Sequence, residues 1–233
     1  MRVSAIITAA GEGKRFGEEL PKQFTLLNGK PVLYYSVDVL SSSDLVSEIV
    51  LVVPGDWVSY TWERVVEKFR FEKVKKIVEG GRKRQDSVKN GLDAISADSQ
   101  VVAVHDGVRP FTSPWLINSV INEASWSGAA IAALPLNDTI KRASPHQYIE
   151  HTVPRESLWF AQTPQAFKCD ILRQAYVKAA EDGFLGTDES FLVERIGVKV
   201  KLIPGSLYNI KITTPEDLQF GELILKNGLL GKW

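Results

Sequence analysis

"VSAIITAAGEGKRFGEELPKQF", Val3 to Phe24, opens with an apolar stretch of strand length and then abandons it for glycine and positive charge. "VSAIIT" reads as a strand buried on both faces. Gly11 and Gly13 follow, then Arg15, then Pro21-Lys22-Gln23. A strand that runs into a glycine loop leaves backbone N–H groups open to phosphate oxygens. Two common versions of such a loop are excluded by spacing. The dinucleotide fingerprint fails because Phe16 stands where its third glycine belongs, and the next strand ends in Val53-Pro54-Gly55 without an acidic ribose ligand. The Walker loop fails because no glycine here is followed at the right distance by Gly-Lys-Ser/Thr. What remains is a loop suited to a polyphosphate.

Outward from this unit, short β-branched runs alternate with stretches of helical period. "EIVLVV", "KKIVEGG", "VVAVHDG", "AAIAALPL" and "VKVKLIPG" read as strands, and "NIKIT" as a short one. Between them "PVLYYSVDVLSSS" reads as a helix with Val32, Tyr35 and Val39 on one face. "WVSYTWERVVEKF", "RQDSVKNGLDAI", "CDILRQAYVKAAEDG" and "DESFLVERIG" are helical too. "TSPWLINSVINEASWSG" carries Thr112 or Ser113 as cap, proline in its first turn and a terminal glycine, and "TPEDLQFGELIL" is a capped final helix. This alternation predicts an α/β fold, a Rossmann-like, mostly parallel sheet with helices on both faces, in one domain over residues 1–233. The rhythm breaks at residues 137–154. There "TIKRA" and "YIEHTV" flank Ser144-Pro145 as a β-hairpin without a core-quality apolar face. An isolated hairpin is marginal in water. A projecting arm therefore needs a support, most simply a second copy of the chain.

Composition narrows the function classes. Lysine plus arginine equals aspartate plus glutamate at 28 each, so no global field calls for nucleic acid or an anionic membrane, and anion binding must come from local clustering. No apolar run approaches the ~20 residues of a membrane span, and the glycine interrupts the N-terminal apolar stretch too early for a signal peptide. A single cysteine, Cys169, excludes an intrachain disulfide and a thiolate metal site, and fits a reducing cytoplasm.

In an open parallel sheet, ligands bind beyond the carboxyl ends of strands. "VEGGRKRQDSV" and "VAVHDGVRPF" both follow strands, which sets Gly80, Gly81, Arg84, Ser87, Asp106 and Arg109 on the same edge as Gly11 to Lys22. The chemistry-bearing residues there are lysine, arginine and one aspartate. No G-x-S-x-G elbow occurs, Cys169 has no evident activating partner, and His105, His146 and His151 lack metal spacing. That set suits transfer between two phosphates. A phosphomonoester has a second pKa of about 6, so near neutrality it is already an anionic nucleophile. The obstacle is repulsion between anions, which fixed cations, backbone N–H groups and Mg²⁺ reduce.

The chain resembles the 2-C-methyl-D-erythritol 4-phosphate cytidylyltransferase family almost end to end. "AAGEGKRFG…PKQF", "GGRKRQDSV", "HDGVRPF", "NDTIKRA", "TVPRESLWFAQTPQAF", "TDES" and "NIKITTPEDL" occur in the family's order. The resemblance implies transfer of CMP from CTP to methylerythritol 4-phosphate with release of pyrophosphate, Mg²⁺ being held mainly by the CTP phosphates. It implies that Ala9, Ala10, Gly11, Gly13 and Arg15 line the nucleotide, with Gly80, Gly81, Arg84, Ser87, Asp106 and Gly107 along the same edge. Lys22 and Lys211, with Arg15, are the implied catalytic cations. Asp106, Arg109 and Lys211 are implied on the sugar-phosphate side, together with Thr139, Arg155, Thr163 and Thr187, some of them reaching over from the partner of a homodimer through the arm.

Three positions depart from the family's habit. Phe16 replaces a frequent methionine. Gly107 replaces the usual alanine, which would loosen the nucleotide edge. Tyr208 stands where an acid is common, so a carboxylate contact would be missing or supplied elsewhere. The nearest alternative is a cytidylyltransferase for another polyol phosphate such as ribitol 5-phosphate. A nucleotide-binding regulatory module has no use for both lysines in this placement, and an oxidoreductase is disfavoured by the failed fingerprint.

Overall fold

The computed structural model describes residues 1–11 and 20–228. Its centre is a seven-stranded sheet in the order β11-β7-β10-β6-β1-β4-β5. The strands are β1 (Val3–Thr8), β4 (Val46–Val53), β5 (Val74–Glu79), β6 (Val101–Asp106), β7 (Ala129–Pro135), β10 (Trp159–Lys168) and β11 (Lys201–Pro204). Between β1 and β4 lie a two-residue ladder, β2 (Leu26–Leu27) with β3 (Lys30–Pro31), and helix α1 (Val32–Ser42). Neighbours pair in parallel except β10, which runs antiparallel to both β6 and β7. The mostly parallel sheet expected from the alternating pattern is therefore present, with one reversed strand inside it.

The strands are continuous apolar runs because both faces are covered. Side chains alternate across each strand. Val3, Ala5 and Ile7 meet α1 and α4 (Pro114–Ser127), while Ile6 meets α3 (Arg84–Ala94) and α5 (Cys169–Glu181). Helix α6 (Glu189–Arg195) adds Leu192 and Val193 to the second face. A third cluster packs α7 (Pro215–Lys226) through Ile224 onto Leu27, Val32, Val108, Phe111 and Ile212. Among the described residues, no helix is long and apolar enough to cross a membrane.

Several local expectations meet competing forces. In α1 Val32 is buried as expected, but Leu33, Ser36, Val37 and Leu40 complete the buried stripe, and Tyr35 and Val39 are only partly buried. The helix is wedged between two partners: Leu33, Val37 and Leu40 face the sheet, whereas Val32 and Tyr35 turn toward α7. "WVSYTWERVVEKF" is helical but composite, a 3-10 turn at Gly55–Trp57, then α2 (Val58–Thr61), then a π segment at Trp62–Glu67. Helix α4 is capped by Ser113, whose hydroxyl accepts from Leu116 N–H, and ends at Gly128 with φ 99°. "NIKIT" is not a strand: residues 209–213 form a loop pinned by Ile212 N–H donating to Val108 O at 2.8 Å. Strand β10 was hidden by its proline. Pro164 falls where the ladder to β7 shifts register between Ala161 and Gln165, before the ladder to β6 begins at Gln165, so no ladder bond depends on its missing N–H.

The arm is present as a hairpin, β8 (Ile140–Ala143) with β9 (Ile149–Val153), in a sheet of its own. It is the excursion between antiparallel neighbours β7 and β10, and Leu136 N–H donating to Leu158 O at 2.9 Å closes its base.

One close approach sets the position of α3, which carries Arg84 and Ser87. A Cβ on Gly91 would meet Ile6 Cγ2 at 2.5 Å and Val52 Cγ2 at 3.1 Å. Gly91→Ala gains about 1 kcal/mol of helix propensity but forces overpacking that costs roughly 1–3 kcal/mol. We expect a net loss of stability, read as a lower denaturant midpoint with unchanged m-value.

Candidate active site

The chain leaves β1 for β4 and β5 on one side and returns through β6 on the other, so a crevice opens between the carboxyl ends of β1 and β6. Thr8 and Asp106, the last residues of these strands, are register partners. The ladder continues past both ends. Ala9 N–H donates to Val52 O at 2.7 Å, Gly107 N–H to Thr8 O at 2.8 Å and Gly80 N–H to Val53 O at 2.8 Å. Three loops are thereby tied to one rim. The cleft above them is about 630 Å³ and is lined by Ala9 to Gly11, Lys22, Gln23, Gly81 to Arg84, Ser87, Asp106 and Lys211, with Thr8, Val108 and Thr213. A volume of that order accommodates a small-molecule ligand.

The described lining carries Lys22, Arg82, Lys83, Arg84 and Lys211 as cations and Asp106 as its carboxylate. Asp106 is 5% exposed. Lys211 Nζ lies 2.9 Å from its Oδ2, Arg109 Nε 3.4 Å from the same oxygen, and Arg84 Nε 3.5 Å from Oδ1. Burial would push this carboxyl up, but Lys211, then Arg84 and Arg109, hold it well below the usual carboxylate range. Arg84 is also bonded to buried Glu189 of α6, Nη1 to Oε1 at 2.9 Å. Burial works against its charge, but Glu189 and Asp106 more than compensate, and its pKa is raised. Burial pushes the Glu189 carboxyl up despite Arg84, and its Oε2 has no hydrogen-bond partner among the described residues.

Local chemistry explains how each segment is held. Lys22 sits in a turn closed by Phe24 N–H donating to Pro21 O at 2.8 Å. The next residue, buried Gln23, donates Nε2 to Ala9 O at 2.6 Å and so fastens the turn to the end of β1. Phe24 is fully buried and stacks on Trp57 with ring centroids 5.0 Å apart. In the Gly81–Lys83 turn, Ser87 Oγ accepts from Gly81 N–H at 3.1 Å and donates to Lys83 O at 3.2 Å. A Cβ on Gly80 would lie 2.2 Å from Ala10 Cβ, so glycine is what lets two loops of the rim touch. Gly107 packs closely too: an alanine there would bring Cβ to 2.9 Å from Leu33 Cδ1 and 3.0 Å from Ala9 Cβ. The space an alanine side chain would take is bounded by Leu33, Ala9 and Ile7.

Beneath Asp106 lies His105, fully buried. Its Nδ1 is 3.0 Å from Thr163 Oγ1, which also accepts from Asp106 N–H at 3.0 Å. Its Nε2 is 3.3 Å from Arg109 O. The pattern assigns a neutral ring in which Thr163 O–H donates to Nδ1 and Nε2–H donates to the carbonyl. Burial pushes His105 down to about 4.

A sequence model described as "IspD: 2-C-methyl-D-erythritol 4-phosphate cytidylyltransferase" matches residues 3–227. A relative of that name from Syntrophus aciditrophicus is 45% identical, covering 97% of this chain and 96% of its own. One from Caldanaerobacter subterraneus is 46% identical, covering 97% and 100%. The chain belongs to the 2-C-methyl-D-erythritol 4-phosphate cytidylyltransferase family. Among solved structures, the 4-diphosphocytidyl-2C-methyl-D-erythritol synthase of Anaerococcus prevotii is similar with TM-score 0.84 and 34% identity, covering 96% of each chain. The 2-C-methyl-D-erythritol 4-phosphate cytidylyltransferase of Thermus thermophilus follows the same fold with TM-score 0.79 and 32% identity, covering 97% of this chain and 100% of that one. The chain is accordingly a nucleotidyltransferase of isoprenoid synthesis.

Of the residues singled out for a 2-C-methyl-D-erythritol 4-phosphate cytidylyltransferase, Ala9, Ala10, Gly11, Lys22, Gly81, Arg84, Ser87, Asp106 and Lys211 line the cleft together. Gly13, Arg15 and Phe16 lie outside the described residues. Gly80, Gly107 and Arg109 support the rim from behind. Thr163 is buried, with its hydroxyl engaged by Asp106 and His105, and does not line the cleft. Thr139, Arg155 and Thr187 are exposed and do not line it, and Arg155 bonds Asn137 O within its own chain. Tyr208 packs partly buried against the α7 cluster. Thr8, Gln23, Arg82, Lys83 and Thr213 were not singled out. Arg82 and Lys83 were legible as part of "GGRKR", whereas Gln23 and Thr213 become lining residues only by folding.

The buried histidine makes a pH prediction. Its folded value of about 4 lies below its ordinary 6.5. Between those values the unfolded chain binds the proton first, so stability falls as pH falls through the window. The shift corresponds to about 3 kcal/mol. Urea unfolding at pH 7 and pH 4.5 should show His105→Gln losing less stability than the parent by an amount of that order.

Proposed function

We propose that this chain transfers CMP from CTP to 2-C-methyl-D-erythritol 4-phosphate, releasing pyrophosphate, by in-line attack of the acceptor phosphate on the α-phosphorus. The observation that carries the reading is that Lys22 and Lys211, far apart in the sequence, line one cleft with the bare backbone of Ala9 to Gly11. The acceptor's phosphate oxygen is an anion near neutral pH and needs no base. The buried, neutral His105 and Cys169, whose thiol burial pushes up to about 11, offer no competing acid–base or nucleophilic machinery.

In this mechanism an oxygen–phosphorus bond forms as the bond to the pyrophosphate oxygen breaks. The electron pair leaves with pyrophosphate. Lys22 and Lys211 stabilise the extra negative charge of the five-coordinate transition state, with Arg15 assigned the same role on the loop. The amides near Gly11 and Gly81 and the guanidinium of Arg84 hold the nucleotide, while Asp106, Arg109 and Lys211 serve the sugar-phosphate side. Fixed donors of this kind are each worth on the order of 10²–10³ in rate.

The magnesium ion is assigned mainly to the phosphates of CTP. The described residues contain no cluster of His, Cys, Asp or Glu that could hold a metal, and the lining carboxylate, Asp106, is already held by three cations. When bound, the ion supplies charge neutralisation on the triphosphate.

The arm is assigned to a homodimer in which Thr139, Arg155 and Thr187 serve the acceptor, some of them across the interface. Support comes from its solvent-exposed strands and from Tyr148 at 76%, Ile149 at 66% and Phe160 at 55% exposure on or beside it. The reaction is placed in the cytoplasm, in keeping with a lone reduced cysteine.

Pyrophosphate release on mixing protein, CTP, Mg²⁺ and a panel of polyol phosphates tests the acceptor. Release with methylerythritol phosphate is expected, and preference for ribitol 5-phosphate would reassign it. Lys22→Ala and Lys211→Ala should each lower kcat by about 10²-fold or more with CTP affinity changed far less. Near-normal kcat in both would defeat the mechanism. If the partner supplies Arg155, mixed Lys22→Ala and Arg155→Ala chains should regain activity, since one site of the hybrid keeps both residues. No recovery despite demonstrated exchange would make the sites self-contained.

A further inference from the structure

Lys211 sits in a stretch with no regular secondary structure. Residues 205–213 form neither helix nor strand, so no backbone ladder fixes where that ammonium points. A loop that must aim a cation needs another source of rigidity, and the structure provides one in Asn209. Although in a loop, Asn209 is 0% exposed. Its side chain makes three hydrogen bonds to two separate segments. Oδ1 accepts from Thr112 Oγ1 at 2.7 Å, at the start of α4, and Nδ2 donates to Thr163 O at 2.8 Å and Gln162 Oε1 at 3.1 Å, in β10. Its carbonyl accepts from Arg109 Nη1 at 2.6 Å.

The partners are themselves tied into the same loop. Gln162 is buried at the register shift of β10, and its Nε2 donates to Ser206 O at 3.0 Å. Gly205 N–H donates to Ala133 O at 2.7 Å, and a Cβ on Gly205 would press on the end of the Gln162 side chain and displace it. Thr163 and Thr112 both touch His105 as well, at 3.0 and 3.4 Å. Just past Lys211, fully buried Ile212 donates its N–H to Val108 O. Lys211 is thus strung between a polar anchor two residues before it and an apolar anchor one residue after it.

We propose that Asn209 is a positioning residue for Lys211: its amide joins the start of α4 and the kink of β10 to the loop, and so fixes where the Lys211 ammonium stands beside Asp106. The proposal rests on the catalytic role assigned to Lys211 above. A buried amide whose hydrogen bonds are all met is rigid, whereas removing it frees the loop and leaves Thr112 O–H and Gln162 Oε1 short of a partner. A displacement of about 1 Å at a reacting centre costs on the order of 10² in rate.

The test is a double-mutant cycle read in kcat and in the KM for CTP, with thermal unfolding recorded for every variant. Asn209→Ala should lower kcat by about 10²-fold with KM changed less than about 3-fold. In a Lys211→Ala background the same substitution should cost less than about 3-fold further, because its effect runs through the lysine. Thr112→Val keeps the shape and removes the short bond to Asn209 Oδ1, together with the longer contacts of the hydroxyl to His105 Nε2 and Arg109 O, both at 3.4 Å. It should reproduce the pattern at roughly 10-fold, and it decides the question if Asn209→Ala does not fold. Equal losses with and without Lys211, or a single-variant kcat within about 3-fold of the parent, would overturn the positioning role. If Lys211→Ala alone keeps normal kcat, the mechanism has failed instead, and the two failures are told apart by that arm.

Discussion

Three cations from different parts of the chain meet on one buried carboxylate at the end of β6, and the rest of the site depends on that meeting. Arg84 arrives from the start of α3, Arg109 from the loop after β6 and Lys211 from the loop before α7, all within 3.5 Å of Asp106. Without the carboxylate these charges would repel one another in a partly dry pocket. With it, they are gathered and oriented before any phosphate arrives. Burying a lone carboxylate is costly, and only its cationic neighbours make the arrangement tolerable. His105 beneath it is kept neutral chiefly by burial, against the pull of the Asp106 charge, with Arg109 and Lys211 adding to the effect of burial.

The sheet supplies the precision that charges alone lack. Thr8 and Asp106 end paired strands in register, and hydrogen bonds from Ala9, Gly80 and Gly107 extend the pairing beyond the strands into the loops. Gly80 lets one loop touch Ala10 of another, and Gln23 clips the Lys22 turn to Ala9. Cations and amides therefore sit on a common rim because the strand ends are level. Electrostatic help of this sort is largest when the donors need not reorganise.

The loop of residues 205–213 shows a different solution. It lacks a ladder, and its order comes from side-chain amides, Asn209 and Gln162, that satisfy each other and the neighbouring backbone. Such a cluster is rigid only when complete. That a loop carrying a lysine of the cleft should rest on a fully buried asparagine is consistent with a demand for exact placement rather than for stability alone.

The sequence by itself determined the α/β class, the level rim of glycine and basic loops at the strand ends, the capped helices α4 and α7, and the hairpin at residues 137–154. Each of these rests on local physics: apolar period, proline and glycine backbone limits, or the hydrogen-bonding reach of a capping side chain. The ordered motifs carried the family as well. Only the tertiary structure decided that β10 enters the sheet despite Pro164 and that α1 turns Tyr35 toward α7. The same holds for "NIKIT" being a pinned loop and Thr163 spending its hydroxyl beneath Asp106. Those outcomes depend on which distant groups happen to need a partner at the same place, and the free energy of a long-range hydrogen bond or ion pair leaves no periodic trace in the chain that makes it.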